Sequence, residues 1–242
     1  MRLFHSIARL VSFIAVLSLQ ACATTDTYSA RPITATVVDT ETGEPLEGVN
    51  VIARWRLEER RTGIGVGDLD LMETVTDKNG RFHFPPWKGK APPTGTEPWT
   101  DKIFVRYETR LSSGSPEIIF FKSGYKLAAI GNYDYLSPTL RDEHHTWERF
   151  SDWDGKVIKL EKFKGDVQAY AYLASLTVSG VHFQNCAWTK MPQMLTSLFK
   201  EGDRLRAQGI RENFPRYTDF KDRTDYKKCG SMEEIFSDYL KK

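Results

Sequence analysis

From residue 33 onward, apolar and polar residues alternate in short runs. Ile33, Ala35 and Val37 interleave with Thr34 and Thr36, the period of two expected of a half-buried β-strand. Glu41, Thr42, Gly43 and Pro45 break the run, and alternation resumes with Val49, Val51, Ala53 and Trp55 on one side and Asn50, Arg54 and Arg56 on the other. In the next segment Asn79-Gly80 is the pair favoured in a two-residue type I′ turn, followed by Phe82 and Phe84 on a common face with Arg81 and His83 opposite. Further strands are predicted at 103–107, 117–121, 125–130 and 157–161. Many short strands with Gly- and Pro-bearing turns predict a mainly β sandwich.

Beyond Gly165 the period lengthens. Asp166 is placed to cap a helix carrying Val167, Tyr170, Leu173, Ala174 and Val178. Pro192 suits a first helical position, and Met191, Met194, Leu195, Leu198, Phe199 and Leu205 form one stripe of a second helix that stops at Gly209. In the last, Ser231 and Glu234 have capping-box spacing ahead of Ile235, Phe236, Tyr239 and Leu240. This short helical C-terminal region, residues 163–242, either packs on the sandwich or forms a subdomain; packing is the preferred expectation.

The first residues do not fit a fold. Arg2 and Arg9 precede an apolar run at 10–19, then small Ala21 and Cys22, in the order of a secretory signal peptide. A helix needs about 20 apolar residues to span a bilayer, so the run is short for a stable anchor. The tetrapeptide LQAC resembles the lipobox of bacterial lipoproteins. That resemblance implies removal of residues 1–21 and lipidation of Cys22, with acyl chains contributing about 0.8 kcal/mol per buried CH₂. Ala23 after it favours the outer membrane, facing the periplasm. Residues 22–32 are then expected to be a lipidated tether, with the globular part starting at Ile33.

Without residues 1–21 the chain carries 32 Lys and Arg against 32 Asp and Glu. A neutral balance lacks the basic footprint that nucleic acid requires. Membrane attachment therefore falls to the lipid, not to a polybasic patch. Cys186 and Cys229 are the cysteines left over, and in an oxidising envelope compartment such a pair predicts a disulfide.

The order VVDTETGEPLEGVNV, TVTDKNGRFHF and FFKSGYK resembles the carboxypeptidase regulatory-like domain, a transthyretin-like (prealbumin-like) sandwich found in bacterial envelope proteins. The resemblance spans residues 33–162 and lies mostly in turn residues. It implies a non-catalytic module without a cofactor, and such a fold alone names no ligand.

Insertions are where an individual activity would sit. RTGIGVGDLD, at 61–70, lacks the rest of a phosphate-loop pattern and is expected to be a flexible loop. The Pro-rich segment 85–99 is expected to be a crossing loop. Residues 131–156 gather Tyr133, Tyr135, Trp147, Phe150 and Trp153, of which Tyr133, Trp147 and Trp153 are candidate contacts for a protein partner or a polysaccharide. More often such aromatics close over the open end of a sandwich, and that is the preferred expectation. Asp142, Glu143, His144, His145 and Glu148 invite a metal reading, but adjacent histidines diverge and neither HExxH nor finger spacing is present. No G-x-S-x-G elbow or cysteine-histidine constellation is assembled either. The sequence thus leads to an envelope binding or structural protein, with a metal enzyme or sugar binder built on 131–156 as the alternative.

Overall fold

A computed structural model of the chain describes residues 27–100, 103–132, 140–141, 146–179, 186–210, 214–221 and 229–241. Among these the architecture is mainly β, with short helices at the C-terminal end. The strands are β1 (Thr27–Ala30), β2 (Ile33–Asp39), β3 (Asn50–Glu59), β4 (Gly65–Val75), β5 (Arg81–Phe84), β6 (Trp87–Lys90), β7 (Thr94–Thr100), β8 (Ile103–Leu111), β9 (Glu117–Phe121), β10 (Ala128–Ile130), β11 (Leu140–Arg141), β12 (Thr146–Arg149) and β13 (Val157–Leu160).

Strand β3 explains the architecture. It pairs antiparallel with β4 along one side, and on the other with β9 over its first half and β8 over its second. Val51, Ala53 and Trp55 turn toward β2, β5 and β13 and pack among Ile33, Val37, Phe82, Phe84 and Leu160. Ile52, on the opposite face, packs with Leu71, Ile119 and Phe121 beneath the helices. The large sheet is therefore covered on both faces, as the middle of three layers.

The outer β layer holds a three-stranded sheet, β13-β2-β5, and a four-stranded one, β11-β12-β1-β6. β13 runs parallel to β2, which brings Ile158 opposite Val37. The helical layer begins with α1 (Val167–Ser179), whose Ala169 N–H donates to Asp166 Oδ1 at 2.9 Å. After a 3₁₀ turn (Ala187–Lys190) come α2 (Pro192–Ala207), α3 (Tyr217–Lys221), α4 (Met232–Ile235) and α5 (Ser237–Leu240). The expected stripe of α2, from Met191 through Leu205, is buried throughout. It shares its core with aromatic rings: Phe199 lies 5.1 Å from Phe236 and 5.7 Å from Phe220, centroid to centroid. Ser231 accepts from the Glu234 N–H and starts α4, and Phe236, fully buried, separates α4 from α5.

Several expectations need correction. The tether does not run to residue 32, because Thr27–Ala30 pairs in parallel with β12 and antiparallel with β6, burying Tyr28 and Ala30. A short stretch among Thr and Ser reads as linker locally; two neighbouring strands make it a strand. The segments expected to be loops at 61–70 and 85–99 contribute to β4, β6 and β7. Pro98 falls on β7, an edge strand, which is where proline is found within sheets.

Asn79-Gly80 does not close a hairpin. β5 pairs with β2 rather than β4, so residues 76–80 arch from the middle layer to the outer one. Asp77 Oδ1 accepts from the N–H groups of Asn79 and Arg81, and Gly80 alone of the pair has positive φ, at 70°. A Cβ there would sit 2.3 Å from the Val37 carbonyl, so the arch requires glycine. The apolar runs at 33–37 and 49–55 likewise end up in different layers.

Candidate functional site

The candidate residues scatter. Cys22 and Tyr133 lie outside the described residues, as do Asp142, Glu143, His144 and His145. Among the described residues no group of three His, Cys, Asp or Glu is arranged to hold a metal. Cys186 and Cys229 form a disulfide, Cα atoms 5.3 Å apart, joining the residue just before the 3₁₀ turn to the segment that leads into α4.

Trp147, on β12, stands in register with Tyr28, and it packs half-buried against the sandwich core. Trp153 packs there too, its Nε1 donating to the Gly131 carbonyl at 3.1 Å. Asn132 holds this corner by donating to the carbonyls of Ser115 and Phe150, at 2.8 and 2.9 Å, and accepting from the Asp152 N–H. Both tryptophans thus close the sandwich. Beside them Arg31 pairs with Glu148 at 2.8 Å and lies 5.8 Å over the Phe150 ring, a polar and aromatic surface open to solvent.

Less expected are buried charges, one set inside the middle sheet and others at the seams between layers. Arg54, read as a polar-face residue, is 1% exposed, with Nε and Nη2 each 3.3 Å from the Asp68 carboxylate and Nη1 3.4 Å from Glu117. Strict alternation does place it opposite Trp55; what it could not show is that a neighbouring layer covers that face. Asp70 reaches both outer layers at once, accepting from Lys90 of β6 at 2.6 Å and from Lys190 of the 3₁₀ turn at 3.0 Å. Burial pushes the Asp70 carboxyl up, but the two ammonium groups outweigh it and hold it below the usual range.

Glu73 caps α2, accepting from the N–H groups of Gln193 and Met194 where Met191 supplies no cap. Burial nonetheless keeps its carboxyl above the usual range. Glu201, 3% exposed, is pushed up by burial and pulled down further by Arg204, Ser123 and Tyr170, ending below the usual range. Tyr170 in turn is pushed well up by burial and by Glu201. The local signal for these seams was present only as Asp68 and Asp70 alternating with Leu69 and Leu71.

A carboxyl whose pKa is lowered by folding stabilises the fold above its unfolded pKa, and loses that contribution as pH falls through the folded value. Glu73 has the opposite sign, its ionisation weighing against the fold as pH rises through its raised value. With Asp70 and Glu201 lowered and Glu73 raised, net loss is expected on the acid side, below about pH 4 to 5. Urea unfolding at neutral and acid pH should show a smaller acid-side loss in Asp70→Asn; an unchanged pH slope would remove Asp70 from this role.

Two further features lie at the surface. A polar cleft of ≈ 410 Å³ opens between the edges of β4 and β5, lined by Thr34, Thr74, Asp77, Arg81 and His83 among others. At the other end of β4, Ile64 in the turn from β3 is 65% exposed and Val66, the second residue of β4, 43%.

No family model matches the chain, and no curated protein matches it. Among solved structures it is similar to 3-chlorocatechol 1,2-dioxygenase from Rhodococcus opacus, at 16% identity over 57% of this chain and 61% of that one, with a TM-score of 0.26. Wild-type catechol 1,2-dioxygenase of Acinetobacter radioresistens is 16% identical over 58% and 53%, TM-score 0.26. The group B streptococcus pilus 2b backbone protein is 14% identical over 55% and 41%, TM-score 0.25. The chain thus spans about two fifths to three fifths of these proteins. Likenesses this low carry no argument about chemistry; the β-sandwich is established by the chain's own strand pairing and burial.

Proposed function

We propose that this protein is a non-catalytic envelope lipoprotein, lipidated at Cys22 and held at the outer membrane facing the periplasm. Its sandwich, read as a transthyretin-like domain of the carboxypeptidase regulatory-like kind, then serves as a binding or structural module for an envelope protein or a surface polymer. The observation that carries the reading is the use made of the buried charges. Arg54 clamps neighbouring strands of the middle sheet, and Asp70, Glu73 and Glu201 are engaged as struts between layers, which suits a rigid support more than proton transfer. The disulfide between Cys186 and Cys229 adds support for an oxidising compartment.

Cys22→Ser is expected to move the protein from the membrane fraction to the soluble envelope fraction. Continued membrane retention of that variant would sink the lipid anchor. Crosslinking in the intact envelope, followed by identification of neighbours, tests the binding role: repeated capture of one envelope component supports it, and turnover of a substrate by the purified chain would overturn the non-catalytic part.

A further inference from the structure

We propose that the turn between β3 and β4 is a second membrane contact, with Ile64 and Val66 entering the headgroup–acyl boundary of the bilayer that holds Cys22. The inference rests on lipidation at Cys22 and adds an orientation to it. Because β1 begins at Thr27, four residues separate Cys22 from the fold, a reach of about 17 Å from Cys22 to Thr27 if fully extended. A tether running to Ile33 would have allowed twice that freedom. The paired strand removes it.

The register brings the turn to the same end of the sandwich. Tyr28 lies opposite Lys90; three residues further on, the Pro93 carbonyl accepts from Thr109 Oγ1; and Thr109 lies opposite Glu59, the last residue of β3. The chain therefore enters the fold beside the turn that carries the exposed apolar pair.

That turn is already ordered. Gly63 N–H donates to the Glu59 carbonyl at 2.8 Å, the Glu59 carboxylate accepts from the N–H groups of Arg61 and Thr62, and Thr62 Oγ1 accepts from Ile64 N–H. Two branched apolar side chains held in water by a formed turn and the paired start of β4 gain by leaving it, with little loop entropy to lose. Arg61, exposed beside them, suits anionic headgroups. Two side chains offer too little area to recruit a free protein, but a tethered one meets the surface at high effective concentration, so a weak contact is enough to set its orientation.

The test uses the lipidated full chain in vesicles of phosphatidylethanolamine and phosphatidylglycerol, with a polarity-sensitive fluorophore on Ile64→Cys or, at the far arch, on Lys78→Cys. The Ile64 label should shift to the blue and be quenched by lipids bearing nitroxides on their acyl chains, and the Lys78 label should do neither. An Ile64 label that stays aqueous and unquenched while the protein floats with the vesicles overturns the inference and leaves the anchor standing. Shielding of that label in intact cells but not in vesicles assigns the turn to a protein partner and overturns it as well. Should Cys22→Ser protein still float with vesicles, the anchor fails first and this inference falls with it.

Discussion

Arg54→Ala is expected to destabilise the fold by about 3–5 kcal/mol, measured as the loss of unfolding free energy in urea. The guanidinium is 1% exposed, and its partners Asp68 and Glu117 have side chains 5% and 21% exposed. Removing the cation leaves the Asp68 carboxylate charged in a place water hardly reaches. The attraction itself is not the main quantity, since desolvating three charges offsets much of it. What costs is breaking the set. Replacing Arg54 and Asp68 together, as Arg54→Met with Asp68→Leu, should therefore recover most of the loss, with Glu117 still facing Arg56 at 3.6 Å. A cost below about 1 kcal/mol for Arg54→Ala alone would show that the guanidinium is not holding these strands together.

Breaking the disulfide should have a comparable effect, confined to one layer. It closes 43 residues, for which chain entropy gives about 4 kcal/mol. Trp188 follows Cys186 by two positions and is fully buried, its ring stacked on Phe236 with centroids 5.8 Å apart. Phe236 follows Cys229 by seven. The bond thus ties together two stretches of chain that each lead into the same aromatic cluster. In Cys186→Ser with Cys229→Ser, amide exchange should accelerate through α2, α4 and α5 while β2, β3 and β5 keep their protection. Equal acceleration in the sandwich strands would contradict a disulfide that serves the helical cover alone.

Much of the secondary structure was legible from the chain because each signal is local. Alternation at 33–37 and 49–55 specified strands through the two-residue period of extended backbone. The α2 stripe specified a helix, Asp166 and Ser231 announced caps, and Gly209 a stop, because those contacts span four residues or fewer. Even the cysteine pairing was readable, from the number of cysteines and an expected oxidising compartment rather than from geometry.

What lay beyond sequence reading depends on which surfaces meet. Asn79-Gly80 carries the same need for left-handed backbone in a hairpin as in an arch, and only the pull of β2 on β5 separates the two. Thr27–Ala30 has no pattern strong enough to declare itself, yet β6 and β12 supply its hydrogen bonds from far along the chain. Arg54, Asp70 and Glu73 look like ordinary solvated charges until helices cover the second face of the sheet. Periodicity says which side of a strand a residue takes. Whether that side meets water or another layer is a long-range outcome of packing, and it turns Arg54 from a surface charge into a buried clamp between strands of one sheet.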